Sequence, residues 1–224
     1  MPQPPTSALQ AVLFDWDGTL LDSFDADSSA YLAMFRELGI PWGLKELAIH
    51  YTPNWHRVYR AAGIPRAKWD LADRLWAKTY AHHAPKLVSG ARSVLSWIAR
   101  RYQVGLVTSG DRVRVLRQLR YFGLTRAFSA RVCSGDTLEK KPHPAPLRLA
   151  LKQMCLKPSA CVYVGDSPHD LEMSERAGVR AIAVIGRFPT EAGLRAAKPE
   201  FLLNSLKELP AVLKTLEKRY ETEA

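Results

Sequence analysis

Short apolar runs alternate along the chain with longer segments of helical periodicity. Continuous apolar runs occupy residues 11–14, 104–107, 161–164 and 181–185, and a polar residue or a glycine follows each of them. Runs this short, with no polar face, are typical of strands that are buried on both sides. Because strands alternate with helices in this order, we predict an α/β protein with a doubly wound parallel sheet.

The segment after the second run has the periodicity of an amphipathic helix that ends near a glycine at position 123. Its predicted apolar face consists of Val113, Leu116, Leu119 and Phe122. The opposite face carries Arg114, Arg117 and Arg120. We interpret this basic face as solvent-exposed.

Residues 23–86 interrupt the alternation, because they contain no strand-like run. Apolar residues recur there at helical spacing in two stretches, 31–38 and 72–80. We therefore predict an all-helical cap domain over residues 23–86. It would be inserted into a Rossmann-like α/β core that comprises residues 1–22 and 87–224.

Composition excludes several classes of protein. The chain has 224 residues, of which 47% are hydrophobic and 24% charged, and this balance excludes a disordered or fibrous protein. No apolar run approaches the ~18 residues that cross a bilayer, and the start of the sequence lacks the features of a secretory signal. Three cysteines are too few for a disulfide framework. We expect a cytoplasmic protein without a membrane partner.

The charge balance is unusual. Lys and Arg outnumber Asp and Glu by 32 to 22, which gives a formal net charge of +10. Such a surplus can indicate nucleic-acid binding, attract an anionic substrate, or only solvate the surface. Because the basic residues are scattered rather than grouped in blocks, a nucleic-acid-binding module is an alternative and not the leading hypothesis.

Polar residues follow three of the predicted strands. Asp15 and Asp17 follow the first strand, Thr108 and Ser109 the second, and Asp166 the third. Since the carboxyl ends of parallel strands meet at one edge of the sheet, these side chains should lie close together. A hard divalent cation would offset the repulsion between neighbouring carboxylates. A hydroxyl group and backbone N–H groups at a strand-to-helix turn can bind an anion.

Each of these signals alone also has an ordinary structural explanation. Gly18 is typical of a tight turn, and Thr108 or Asp166 could cap a helix. Lys141, which precedes a proline, could be an ordinary surface lysine. The order of the signals along the chain is therefore more informative than any single one.

That order resembles the four motifs of the haloacid dehalogenase-like superfamily of phosphohydrolases. The matching segments are residues 15–19, 107–110, 141–144 and 165–170, and they span most of the chain. Within the superfamily, a helical segment placed directly after the first motif is similar to the group of phosphoglycolate phosphatases and β-phosphoglucomutases.

The resemblance implies a role for each motif residue. Asp15 would be the nucleophile that forms an aspartyl-phosphate, and Asp17 would be the general acid and base. Thr108 and Ser109 would bind the phosphate group together with Lys141. The presence of an acid at position 17 favours phosphoryl transfer over dehalogenation.

The resemblance also implies a Mg²⁺ cofactor. Its ligands would be a carboxylate oxygen of Asp15, the backbone carbonyl of Asp17 and a carboxylate oxygen of Asp166. Asp170 would complete the metal site from behind, by orienting a metal-bound water or Lys141.

The leading prediction is a Mg²⁺-dependent phosphatase that hydrolyses a small phosphate monoester, phosphoglycolate-like or a sugar phosphate, as a monomer or homodimer. A sugar phosphomutase of the β-phosphoglucomutase type would use the same residues and stays open. In the cap, we consider Trp55, His56, Arg57 and Arg60 as candidates for contact with the substrate.

Overall fold

A six-stranded parallel sheet forms the centre of the molecule, with strand order β3-β2-β1-β4-β5-β6. The computed structural model describes residues 9–222. The strands are β1 (Ala11–Phe14), β2 (Gln103–Asp111), β3 (Ala130–Ser134), β4 (Cys161–Gly165), β5 (Arg180–Val184) and β6 (Leu202–Leu203). The predicted α/β class with a doubly wound parallel sheet is confirmed.

Helices cover both faces of the sheet, and the α-helices are named in chain order. They are α1 (Phe24–Glu37), α2 (Leu44–His50), α3 (Trp55–Ala61), α4 (Trp69–Tyr80), α5 (Ala91–Ile98), α6 (Arg112–Tyr121), α7 (Ala145–Met154), α8 (Pro168–Ala177), α9 (Glu191–Ala196) and α10 (Leu209–Thr222). No helix within residues 9–222 has the length and apolar character that crossing a bilayer requires.

Strand β1 shows how the sheet divides the core. Its four residues are completely buried. Val12 and Phe14 pack in a cluster with apolar residues of α5, α6 and α10 on one face of the sheet. Ala11 and Leu13 pack in a second cluster with α7 and α8 on the other face. Since successive side chains of a strand point to opposite faces, a strand covered on both sides needs a continuous apolar run.

Two strands were not predicted, and both lack such a run. Strand β3 lies at one edge of the sheet and contains the half-buried Arg131. Strand β6 lies at the other edge and has only two residues. Edge strands pair on one side only, so their sequences are less constrained than those of the central strands.

The prediction that the arginines of α6 form a solvent-exposed face is wrong for Arg114. The side chain of Arg114 is only 12% exposed. Val113, which was assigned to the apolar face, is 75% exposed, whereas Val115, Gln118 and Leu119 are buried. The helix is rotated from the predicted orientation, and it directs Arg114 toward a carboxylate described below. Helical periodicity could not show this, because it treats every arginine as a surface residue.

Helices α1–α4, called the insert helices here, pack around a hydrophobic cluster of their own. The cluster includes Met34 and Phe35 of α1, Val58 of α3 and Ala72 of α4. Residues 23–86 contribute no strand to the six-stranded sheet. The assignment of these residues to a separate cap domain stays a prediction.

Candidate active site

The register of the sheet places the motif residues at one edge. Phe14, the last residue of β1, pairs with Leu106 of β2 and with Val164 of β4. The chain therefore leaves β1 at Asp15 between β4, which ends one residue beyond this level, and β2, which continues to Asp111. Asp166 follows β4 directly.

Three buried carboxylates converge at this edge. Oxygen atoms of Asp15, Asp166 and Asp170 all lie within 4.8 Å of one another. The Nζ atom of Lys141 lies 2.9 Å from Asp15 Oδ1 and 2.8 Å from Asp170 Oδ1. The cluster thus has one ammonium group, paired with two of the three carboxylates, and its positive charge does not balance the negative charge.

The pKa values of two of these carboxyl groups reflect that imbalance. Burial raises the pKa of Asp15 to about 7, although Lys141 opposes this effect. Burial and the neighbouring Asp15 and Asp170 raise the pKa of Asp166 well above its usual value. A divalent cation with a preference for oxygen ligands would supply the missing positive charge, so this donor set fits Mg²⁺.

Lys141 is held from two directions. Its Nζ atom donates a hydrogen bond of 2.8 Å to the hydroxyl of Tyr163, which in turn donates to the backbone carbonyl of Val107 at 2.9 Å. Burial alone would lower the pKa of Lys141, but Asp15 and Asp170 outweigh it and raise that pKa. The side chain is therefore a fixed cation.

Asp170 is fixed by the start of α8. Its Oδ2 atom accepts hydrogen bonds from the backbone N–H and the hydroxyl of Ser167, at 3.1 and 2.6 Å. The Ser167 side chain in turn caps the backbone N–H of Asp170. This reciprocal capping box satisfies the first turn of α8 and leaves Asp170 Oδ1 facing Lys141.

Asp166 lies directly over the turn that follows β1. Its Oδ1 atom accepts a hydrogen bond of 3.1 Å from Thr19, and its backbone carbonyl accepts one of 2.6 Å from Thr190. Gly18 has φ +82°, and a Cβ atom there would lie 2.1 Å from Asp166 Oδ2. Only glycine lets the two motifs approach this closely.

We expect Gly18→Ala to lower stability more than Gly39→Ala and to disrupt the carboxylate cluster. Gly39 has a similar φ of +71°, but a Cβ atom there would meet nothing within 4 Å. The control should therefore carry only backbone strain of about 1–2 kcal/mol. Urea unfolding and the rise in Tm with added Mg²⁺ measure the difference. Equal losses of stability and an unchanged Mg²⁺ response would contradict this explanation.

Asp17 does not join the three converging carboxylates. Arg114 holds its side chain through two hydrogen bonds, of 2.9 Å to Oδ1 and 2.6 Å to Oδ2. Tyr80 and Gln118 also accept hydrogen bonds from Arg114, at 3.2 and 3.4 Å, and Trp16 donates one of 2.9 Å to Gln118. A two-point pair of this kind fixes the orientation of a carboxylate.

We expect Arg114→Met to lower the free energy of unfolding by about 2–3 kcal/mol at pH 7, because it removes the ion-pair partner of Asp17. Burial alone would raise the pKa of Asp17, but Arg114 outweighs it and lowers that pKa below its usual 3.8. The pair therefore stabilises the fold above about pH 4, and its contribution is lost as the pH falls through the lowered pKa.

Urea unfolding at several pH values measures this effect. The difference between wild type and Arg114→Met should shrink toward pH 2. Arg120→Met is the matched control, since Arg120 is an exposed residue of the same helix. A difference that does not depend on pH would contradict the ion-pair explanation.

Thr108 and Ser109 were expected to follow the second strand, but they lie within the last four residues of β2, where its pairing with β3 is irregular. Thr108 is buried, and its hydroxyl oxygen accepts a 3.0 Å hydrogen bond from the backbone N–H of Gly110. Both residues line the same cavity as Asp15, Asp17 and Asp166. Every motif residue predicted from the sequence therefore lies in or directly behind one site.

A family model of haloacid dehalogenase-like hydrolases matches residues 12–184. The chain belongs to this family. The resemblance inferred from the four motifs is confirmed, and the protein is an enzyme of a hydrolase family.

Individual relatives agree with the family assignment. The chain is 28% identical over 210 residues to the pyrophosphatase PpaX of Bacillus cereus, covering 92% of this chain and 96% of the relative. The structure of CbbY from Rhodobacter sphaeroides in complex with phosphate is similar, with TM-score 0.76 and 25% identity over 90% of this chain and 96% of that one. A predicted phosphoglycolate phosphatase from Haemophilus somnus shares the fold, with TM-score 0.79, 20% identity and coverage of 93% and 99%.

The hydrolase has a cavity of about 550 Å³ that extends from the motif residues to the insert helices. Six aromatic side chains from residues 23–86 line it. They are Tyr31, Tyr51, Trp55, Tyr59, Trp76 and Tyr80. Asp27 and Asp73 add two carboxylates to the same wall.

Of the four cap residues considered from the sequence, only Trp55 lines this cavity within the described part of the chain. His56 stacks on Trp69 with a centroid distance of 4.5 Å, and Arg57 and Arg60 are exposed. Tyr31 and Tyr80 belong to the predicted helical stretches. Periodicity could not identify them as cavity residues, because a side chain that faces a cavity and one that faces a core follow the same pattern.

Proposed function

We propose that this hydrolase is a Mg²⁺-dependent phosphatase that acts on a small phosphate monoester through an aspartyl-phosphate at Asp15. The observation that carries the proposal is the buried cluster of Asp15, Asp166 and Asp170 around Lys141, beside the hydroxyl of Thr108. The phosphate bound to CbbY and the pyrophosphatase name of PpaX support it.

The first step of the proposed reaction forms the covalent intermediate. A carboxylate oxygen of Asp15 attacks phosphorus, and the bond between phosphorus and the alcohol oxygen breaks. Asp17 donates a proton to the departing oxygen. Arg114 favours the ionised form of Asp17. Asp17 would therefore hold the proton that it donates only after its ion pair with Arg114 has separated.

The second step releases phosphate. Asp17 takes a proton from water, the water oxygen attacks phosphorus, and the bond to Asp15 breaks. Thr108 and the backbone N–H of Ser109 bind the phosphate oxygens, and Lys141 offsets their negative charge. Mg²⁺, held by Asp15, Asp166 and the backbone carbonyl of Asp17 with Asp170 behind, would supply further positive charge.

The cap domain, the cellular location and the oligomeric state of the enzyme are also proposed. Residues 23–86 would form a cap domain that encloses the substrate and excludes bulk water. The partner would be a small phosphorylated metabolite in the cytoplasm, and the enzyme would act as a monomer or homodimer. None of the relatives named above supports the nucleic-acid-binding alternative.

Metal removal tests the proposal. We expect phosphate release from a panel of phosphate esters in Mg²⁺, its loss in a chelator, and its recovery on adding excess Mg²⁺. Without substrate, Mg²⁺ should also raise Tm, because an ion that binds only the folded chain stabilises it. Failure of every ester to release phosphate in Mg²⁺ would contradict the function.

One substrate of the panel separates the two kinds of phosphoryl transfer. β-Glucose 1-phosphate should yield free phosphate. Formation of glucose 6-phosphate without free phosphate would identify a sugar phosphomutase instead.

A further inference from the structure

The cavity beneath the insert helices is much larger than a phosphate group. Its volume of about 550 Å³ lies in the range of sites that enclose ligands of tens of atoms, roughly 300–1,000 Å³. The phosphate would occupy only the end next to Asp15 and Thr108. The remaining space, under the insert helices, is available to the leaving group.

Flat aromatic surfaces form much of this space, and other rings hold them in place. Tyr51 stacks on Phe188 with a centroid distance of 4.8 Å and an interplanar angle of 16°. Trp76 stacks on Tyr80 at 4.6 Å and 25°, and Tyr31 packs edge-on against Trp76 at 6.4 Å. Fixed ring faces of this kind bind planar groups by stacking.

The charges of this wall are unfavourable for an anionic leaving group. Within the described chain, residues 23–86 contribute two carboxylates to the cavity, from Asp27 and Asp73, and no lysine, arginine or histidine. The basic residues that line it, Arg114 and Arg117, come from α6, and Arg114 is already paired with Asp17. A carboxylate or second phosphate that reached the insert helices would therefore meet the carboxylate of Asp73 and no cationic side chain from residues 23–86 among those that line the cavity.

Polar groups in the same wall suit an uncharged ligand that forms hydrogen bonds. The indole Nε1 of Trp55 is buried and has no hydrogen-bond acceptor among residues 9–222. Tyr59 donates to Asp73 Oδ1 at 2.8 Å, and Asp73 is otherwise exposed at the cavity wall. Asp27 can accept hydrogen bonds when ionised and donate one when protonated. Burial and the nearby Asp17 raise the pKa of Asp27 to about 8.

From these observations we infer that the preferred substrate is a nucleoside monophosphate. Its leaving group is bulky, carries a flat heterocycle and hydroxyl groups, and has no negative charge. The inference rests on the proposed phosphatase function and narrows its substrate class. It disfavours phosphoglycolate and pyrophosphate, whose leaving groups are anionic.

A substrate comparison on the wild-type enzyme tests this inference. Adenosine and cytidine monophosphate, ribose phosphate, phosphoglycolate and pyrophosphate are assayed for phosphate release in Mg²⁺. We expect kcat/KM for the nucleotides to exceed that for each of the other three by about tenfold or more, because base stacking contributes on this scale. Equal or higher values for phosphoglycolate or pyrophosphate would overturn the inference and leave the phosphatase function intact. A preference for ribose phosphate would overturn the role of the heterocycle.

Two variants test the wall directly. Tyr51→Leu removes the aromatic ring. We expect the ratio of kcat/KM for nucleotides to kcat/KM for phosphoglycolate to fall about tenfold in this variant, mainly through a higher KM for nucleotides. Tyr51→Phe keeps the ring and should retain most of the ratio. Asp73→Asn, which removes a carboxylate from the cavity wall, should shift the ratio toward phosphoglycolate. Asp70→Asn, an exposed position on α4 outside the cavity, is its matched control. Unchanged ratios in Tyr51→Leu and Asp73→Asn would overturn the assignment of this wall to the leaving group.

Discussion

Asp15→Asn is expected to reduce phosphate release by at least about a thousandfold while the protein remains folded. The amide oxygen is a poor nucleophile, so the covalent route is lost, and removal of a nucleophile has effects of this size or larger in other hydrolases. Asparagine has nearly the same shape as aspartate. It also removes one of three carboxylates that repel each other within 4.8 Å, so folding should not suffer.

Three measurements check this prediction. They are kcat/KM for the best substrate, Tm in a chelator, and mass spectrometry for a phosphorylated peptide that contains residue 15 in the wild type only. Asp70→Asn, at an exposed site, controls for the change of charge. Activity within tenfold of the wild type would rule out Asp15 as the nucleophile.

Lys141→Met is expected to abolish activity and also to lower the free energy of unfolding by about 3–5 kcal/mol in metal-free buffer. Lys141 is only 2% exposed and pairs with both Asp15 and Asp170. Removing one partner of a buried ion pair leaves uncompensated charge, which is costly. Since Mg²⁺ would partly neutralise the same carboxylates, the stability of this variant should depend more on Mg²⁺ than that of the wild type.

Urea unfolding with and without Mg²⁺ measures this prediction. Lys152→Met, an exposed position on α7, is the control. The double variant Lys141→Met/Asp170→Asn should recover part of the lost stability, because it removes a buried charge together with its partner. If Lys141→Met were as stable as the wild type in a chelator, the electrostatic role assigned to Lys141 would be wrong.

The sequence predicted those parts of the fold that depend on a short continuous segment of the chain. Buried central strands require continuous apolar runs, so β1, β2, β4 and β5 could be predicted. Asp15 and Asp166, which directly follow β1 and β4, could then be placed at one edge of the sheet, and they do meet there. The edge strands β3 and β6 escaped prediction, because pairing on one side leaves only a weak pattern.

Contacts between distant segments could not be predicted in the same way. The Arg114–Asp17 pair joins residues that are 97 positions apart, and nothing in the spacing of α6 distinguishes Arg114 from the exposed arginines beside it. The aromatic wall of the cavity presents the same difficulty, since the insert helices use aromatic residues both for their own core and for the cavity. Only the folded arrangement separates these roles.

The hydrogen bond from Tyr163 to the carbonyl of Val107 joins β4 to β2 beneath the intervening β1. Lys141 donates a hydrogen bond to the hydroxyl of Tyr163. The position of its ammonium group therefore depends on the spacing of the three central strands. The aromatic and acidic residues proposed to surround the leaving group belong to a different part of the chain, residues 23–86. Substitutions in residues 23–86 can therefore change substrate choice, while the distances among Asp15, Lys141 and Asp170 stay the same.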